Sequence, residues 1–194
     1  MKQLMSKIGL AVTLAGAAAI ARADWSLDNN ASTFHYVTSK NATVSEVNSI
    51  AGLSGAISDN GMATLRLNLA TVDTAVEVRD QRMRDIVFQV EQFPEATISV
   101  PVDSGALDDL KPGVPATATY PVTVSLHGMT QEMPADLQVV KLTNTTLQVN
   151  LVKPLIVSAA SFGLAEGVEE LRALAGLNSI TPSVVVDFSL LYRK

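Results

Sequence analysis

Apolar and polar residues alternate with a period of two along most of the sequence. Over residues 62–69, Leu65 and Leu67 share one face, whereas the polar residues between and beside them occupy the other. Successive side chains of a β-strand point to opposite faces, so this alternation predicts strands with one core face and one solvent face. The same pattern recurs at residues 34–36, 96–100, 114–126, 133–139, 147–151 and 184–191.

Short turn segments separate the predicted strands, at residues 59–61, 111–113, 127–128 and 143–144. Each segment contains glycine or asparagine, the residues that most readily adopt the backbone angles of tight turns. Strands with one apolar and one polar face are typical of antiparallel sheets. Closing such a sheet into a barrel pairs its edge strands. We therefore predict an all-β fold, an antiparallel meander that closes into a barrel.

Two stretches depart from this period and predict short helical insertions. In the first, Thr74 and Glu77 have the spacing of a capping box, which would open a helix that extends to Phe88. Asp80 and Arg84 lie four residues apart on this helix and would form a stabilising pair on its surface.

The second predicted helix covers residues 167–176. Val168 and Leu171 fall on one helical face, which would be the face turned toward the core. Gly176 suits the position just after the last helical residue, and Pro182 prevents the helix from continuing.

The first 23 residues have the organisation of a secretory signal peptide. Two lysines give a basic start, residues 8–20 form an uncharged and mainly apolar run, and Ala21-Arg22-Ala23 supplies the small residues that precede a cleavage site. The apolar run is too short for a spanning helix, which needs roughly 20 residues. We therefore predict a signal peptide at residues 1–23 and one mature domain at residues 24–194.

The composition excludes several classes of function. Of the 194 residues, 47% are hydrophobic and 17% are charged, which is typical of a globular domain and not of a disordered chain. The absence of cysteine excludes disulfides, thiolate metal sites and a cysteine nucleophile. The net charge of −5 becomes more negative once the basic leader is removed, which argues against nucleic-acid binding.

No motif for catalysis or metal binding emerges. The sequence has no nucleophile elbow, P-loop, dinucleotide-binding fingerprint or zinc-protease motif. His127 lies at a predicted turn without a second ligand at a suitable spacing, and His35 lies on the polar face of a strand. We therefore predict that the protein is not an enzyme. A small hydrolase or isomerase that uses His127 is the alternative.

The charged cluster from Arg79 to Asp85 has two interpretations. It forms a water-facing helical surface, or it forms a basic rim at the mouth of a cavity. In the second case, arginine side chains would meet an anionic head group, with Met83 and Phe88 on the apolar side.

Four stretches of the mature chain carry the landmarks of a known family. Trp25-Ser26-Leu27-Asp28 matches its opening, and residues 72–100 keep its Asp-Thr, Arg-Asp and Phe-Pro pairs at the expected spacing. Residues 122–133 and 161–190 match its later strand and turn and its closing helix and strand. The chain thus resembles the YceI-like family, bacterial periplasmic proteins described as polyisoprenoid-binding. It departs from the family at residues 49–55, which keep the glycines but lack the usual phenylalanine.

The resemblance implies a lipocalin-like barrel of eight antiparallel strands that lies in the periplasm and holds a long-chain isoprenoid lipid. The implied partner is an isoprenoid quinone or a polyprenyl lipid, with no other cofactor, no metal, no nucleic acid and no stable membrane insertion, and a homodimer stays open. Apolar strand faces and two helix residues would line the lumen: Phe34, Tyr36, Leu65, Leu67, Met83, Phe88, Ile98, Val100, Val122, Val124, Leu137, Val149, Val186 and Phe188.

The alternative within the same fold is a barrel without a guest. Small barrels are often filled by their own side chains. Such a protein would act in an envelope stress response or present the helix from Val76 to Phe88 to an envelope partner.

Overall fold

The chain folds into ten strands and three short α-helices, as seen in a computed structural model that describes residues 23–194. The predicted signal peptide therefore lies, except for Ala23, outside the described residues. The strands are β1 (Ala23–Leu27), β2 (Thr33–Lys40), β3 (Val44–Ser58), β4 (Met62–Asp73), β5 (Glu95–Pro101), β6 (Pro115–Leu126), β7 (Met129–Thr143), β8 (Thr146–Leu151), β9 (Leu155–Ser158) and β10 (Ser183–Arg193). The helices are α1 (Glu77–Arg82), α2 (Ser104–Asp108) and α3 (Ala165–Leu174), with 3₁₀ turns at Asn29–Ala31 and Ala159–Phe162.

The strands close into a ring with eight positions, as predicted. Neighbours are antiparallel in the order β2-β3-β4-β5-β6-β7-β8-β10, and β10 pairs with β2 to complete the ring. The two remaining strands extend positions already in the ring. β1 continues β2, because both lie between β10 and β3. β9 continues β8 along β10, after a break at residues 152–154.

The alternation of residue types decides which face of each strand points inward. Leu65, Leu67 and Leu69 on β4 are buried in the barrel, whereas Arg66 and Asn68 between them are exposed. The turn between β6 and β7 is tight: His127 and Gly128 have φ angles of 51° and 73°. Two successive positive φ angles suit the right-handed twist of a hairpin. The predicted strands and this predicted turn are therefore confirmed.

The helical insertions differ in detail from the prediction. The first is α1, which a π-helical turn continues from Met83 to Val87, but Thr74 is not its cap. The capping-box prediction is wrong, because the Thr74 N–H donates to Asp80 Oδ1 at 2.8 Å and Val76 stands at the N-cap position. The prediction of an Asp80–Arg84 pair is also wrong, because Arg84 donates to Gln81 Oε1 at 2.8 Å instead.

The second insertion is close to its prediction, and a third was missed. α3 begins two residues earlier than expected, and Gly176 follows its C-cap with a φ of 63°. The missed helix, α2, lies between β5 and β6, where the Asp103 carboxylate accepts a hydrogen bond from the Ala106 N–H at 3.2 Å. No helix formed by residues 23–194 is long and apolar enough to cross a lipid bilayer.

Candidate ligand-binding cavity

The barrel interior holds a cavity of about 190 Å³, which we call the outer chamber. It lies at the end of the barrel where the β4–β5 and β8–β10 connections carry α1 and α3. Its surface is almost wholly apolar. Twelve of the fourteen residues predicted to line the lumen line this chamber: Phe34, Tyr36, Leu67, Met83, Phe88, Ile98, Val100, Val122, Val124, Leu137, Val186 and Phe188.

A second, smaller cavity of about 60 Å³ lies toward the opposite end, and we call it the inner chamber. The two other predicted residues, Leu65 and Val149, line this chamber. Leu147, Tyr192 and the α2 residue Leu107 also line it, and all three are buried. The barrel is therefore not completely filled by its own side chains at either end.

Two helical segments form a roof over the outer chamber. The π-helical turn contributes Met83 and Val87, and Phe88 follows it. α3 contributes Val168 and Leu171 from its apolar face. The two segments pack against each other, so the roof is continuous across this part of the barrel end. The helical insertions are thus structural parts of the cavity wall.

Sequence reasoning missed several lining residues. Leu69, Leu126 and Ala135 belong to alternating strand faces that were already recognised, so extending those faces would have found them. Leu164 and Ile180 lie in the β8–β10 connection, where no periodic pattern marks an inward side chain. Tertiary contacts alone place these two residues at the cavity.

One buried polar side chain among the lining residues has no hydrogen-bond partner. Tyr36 is buried with its hydroxyl unpaired, and its ring lines the outer chamber. Burial, and secondarily the negative charge of Asp80, raises the pKa of this hydroxyl well above its usual value. The group is therefore a neutral donor, and a buried donor without an acceptor is costly. The Asn48 side chain, across the β2–β3 pair from Tyr36, is also buried and its Oδ1 has no donor.

The charged cluster from Arg79 to Asp85 splits into two parts. In one part, on the helix surface, Gln81 donates to Asp85 Oδ1 at 2.9 Å and accepts from Arg84 at 2.8 Å. Arg79 turns toward the barrel and donates to Glu46 Oε2 at 2.7 Å and to Thr74 Oγ1 at 2.8 Å. Lys40 donates to the other Glu46 oxygen at 2.8 Å, and these bonds hold the pKa of Glu46 below its usual value. The cationic charge of Arg79 is thus matched by a carboxylate of the barrel itself.

The two histidines lie apart from each other. His35 is exposed on the outer wall, between Ser49 and Asp187 of the neighbouring strands. His127 lies in the β6–β7 turn with its ring centroid 4.4 Å from that of Phe93, and its Nε2 is buried without a partner. Within residues 23–194, no group of three or more histidine, aspartate or glutamate side chains could hold a metal ion.

A closed antiparallel barrel with eight strand positions around an apolar cavity is a lipocalin-type fold. The sequence matches the YceI-like domain over residues 11–191, and the chain belongs to this family. A search of curated proteins gave no significant match.

Solved structures agree with this assignment. A polyisoprenoid binding domain from Saccharophagus degradans, implicated in plant cell wall breakdown, is 38% identical, with a TM-score of 0.87 over 89% of this chain and 99% of that chain. BcnA from Burkholderia cenocepacia is 13% identical, with a TM-score of 0.66 over 85% of this chain and 98% of that chain. A Campylobacter jejuni YCEI protein is 10% identical, with a TM-score of 0.50 over 100% of this chain and 99% of that chain. At these low identities, the Burkholderia and Campylobacter structures support the fold only.

Proposed function

We propose that this protein is an exported binding protein that shelters an isoprenoid-type lipid in its barrel. The observation that carries the proposal is the outer chamber, an apolar space of about 190 Å³ inside the barrel. A hydrocarbon chain gains roughly 0.8 kcal/mol for each buried CH₂ group. One five-carbon isoprene unit is thus worth about 4 kcal/mol, so a few units offset the cost of association without a charged anchor.

The similarity to the Saccharophagus degradans polyisoprenoid binding domain supports the choice of an isoprenoid among apolar ligands. We propose that residues 1–23 direct export and that the mature domain acts in the periplasm. Binding through apolar area needs no reactive group, so the proposal assigns the protein no catalytic activity.

Native mass spectrometry of the secreted protein tests this function. The full chain would be expressed in a bacterium that exports it and purified without detergent. We expect a mass that corresponds to cleavage after Ala23, together with one bound prenyl lipid that organic extraction releases. A protein that is isolated empty and takes up no added prenyl lipid would contradict the proposal. An uncleaved mass would contradict export alone.

We further propose that the polar end of the lipid lies near Tyr36. This hydroxyl is a buried donor on a residue that lines the outer chamber, and a hydroxyl or carbonyl oxygen of the ligand would supply the acceptor that it lacks once the side chain turns toward the chamber. A net hydrogen bond of this kind contributes about 0.5–1.5 kcal/mol.

Tyr36→Phe should therefore weaken binding of a prenyl alcohol about two- to tenfold, because only the hydrogen bond is removed. Binding of an isoprenoid hydrocarbon without a head group should not change. Displacement of a fluorescent apolar probe measures both affinities. Tyr120→Phe is the matched control, since Tyr120 lines the inner chamber. Equal effects of Tyr36→Phe on both ligands would contradict this orientation.

A further inference from the structure

We infer that lipid enters and leaves through the side of the barrel, between β7 and β9, an inference that rests on the proposed function. Within residues 23–194, β7 pairs with β8 only from Leu137 onward, and no strand pairs with residues 129–135 on the side away from β6. β9 follows β8 along the chain and pairs with β10 but not with β7. We call the stretch of wall between residues 129–135 and Leu155–Ser158 the seam.

Proline accounts for the end of the β7 ladder. The Val152 N–H donates to the Asp136 carbonyl oxygen at 2.8 Å, so the backbone of Asp136 is turned toward the β8 side. Backbone groups alternate in direction along an antiparallel strand, so those of Pro134, two residues earlier, face the seam. Pro134 has no N–H to donate, and Pro154 lies in the break between β8 and β9. A donor is therefore missing at the point where the ladder would have to continue.

The seam is part of the wall of the outer chamber. Met133 and Ala135 on one side, and Leu155 and Val157 on the other, all line this chamber. Parting of the two strands would thus give access to the chamber without passing through the roof. The four side chains are apolar, so a hydrocarbon chain between the strands would keep the kind of contacts that it has inside.

The strands can part here without loss of a backbone ladder. At the level of the outer chamber, the other junctions between ring neighbours are ladders, whose hydrogen bonds would break together. Across the seam, one side-chain hydrogen bond joins the described residues, from Gln131 Nε2 to the Ser161 carbonyl oxygen at 3.2 Å. The roof is more closely packed, because a Cβ on Gly167 of α3 would lie only 2.7 Å from the Ile86 carbonyl oxygen.

Exposed apolar side chains lie along both edges of the seam. Ile156 on β9 is 64% exposed, and Met129 at the start of β7 and Val152 after β8 are each 46% exposed. Apolar groups on a protein surface can mark contact sites for apolar partners. A lipid that passes through the seam would therefore also find apolar contacts on the outer surface of the barrel.

Cross-linking of the seam tests the inference in a chain that contains no cysteine of its own. Glu132→Cys and Ile156→Cys place one thiol on each side of the seam, both at exposed positions, and a short bismaleimide joins them. We expect release of bound farnesol, a prenyl alcohol, to slow at least tenfold after cross-linking, as followed when a fluorescent apolar probe replaces it. The matched control joins Thr97→Cys to Ser125→Cys, which face each other on the paired strands β5 and β6. The control cross-link should leave the rate within about twofold.

A second measurement loosens the seam instead of locking it. Gln131→Ala removes the hydrogen bond to Ser161 and should speed farnesol release about two- to tenfold, which corresponds to the usual contribution of one such bond. Gln138→Ala is the matched control, because Gln138 lies on the same strand where β8 pairs with it. This control should release farnesol at the native rate.

The two measurements separate the inference from the proposed function. Equal release before and after cross-linking of the seam would overturn the inference and leave the proposed function intact. Equal release from Gln131→Ala and Gln138→Ala would do the same, and this comparison decides alone if mass spectrometry shows that the two thiols are not joined. If the native protein takes up no farnesol, the proposed function fails and the inference falls with it.

Discussion

Ala96→Phe should abolish lipid binding while leaving the barrel folded. Ala96 is buried on β5 and its side chain faces the outer chamber, so a phenyl ring at this position occupies the space that the lipid tail would fill. Excluding one isoprene unit removes the burial of five carbons, about 4 kcal/mol, which corresponds to roughly a thousandfold loss of affinity. The measurement is the dissociation constant of a two-unit prenyl alcohol, with the unfolding midpoint in urea recorded for the same protein.

Because successive side chains of β5 point to opposite faces, the next residue along the strand provides a control. Thr97→Phe adds the same ring one residue later, where the side chain points away from the lumen, and should leave affinity within about threefold of the native value. Ala135→Phe inserts the ring from β7 and should reproduce the loss. If the native affinity persists in both blocked proteins, the lipid does not lie in the outer chamber.

The strands of this fold were predictable because their pattern is local. Alternation assigns Leu65 and Leu67 to the lumen side and Arg66 to the outside, and the structure agrees.

Strand β3 was not predicted, although it spans Val44–Ser58, because its glycines and serines interrupt the alternation. A Cβ at Gly55 would lie 2.5 Å from the Thr64 carbonyl oxygen on β4, so close strand packing requires glycine here. What appears as a loop signal in the sequence is thus a requirement of strand packing.

The failed helix cap shows a second limit of sequence reasoning. A capping box describes contacts within one helix, but Thr74 is used by Asp80 and Arg79, which tie α1 to the barrel. The same limit applies to the cavity. Alternation identified which side chains face inward, yet it carries no information about how closely opposite walls approach. The presence of two chambers could therefore be found only from the three-dimensional structure.

Gly167→Ala should loosen the roof of the outer chamber, because α3 meets the π-helical turn at this glycine. A Cβ here would lie 2.7 Å from the Ile86 carbonyl oxygen and 2.9 Å from the Val87 Cα. Both are backbone atoms, so the added methyl group forces the two segments apart instead of displacing a flexible side chain. Overpacking of this kind costs about 1–3 kcal/mol. We expect a loss of that size in the free energy of unfolding in urea.

The same separation should open a path to the lipid, because these two segments carry Val87 and Val168 of the roof. We expect the bound prenyl alcohol to dissociate at least tenfold faster from Gly167→Ala, as stopped-flow fluorescence would measure. Gly105→Ala is the matched control: it lies in α2 at the other end of the barrel, its Cβ would meet only the Asp103 side chain at 3.3 Å, and alanine favours helices by about 0.5–1 kcal/mol. The control should leave dissociation unchanged. A Gly167→Ala protein that is less stable but releases lipid at the native rate would show that the lipid leaves by a route other than the roof.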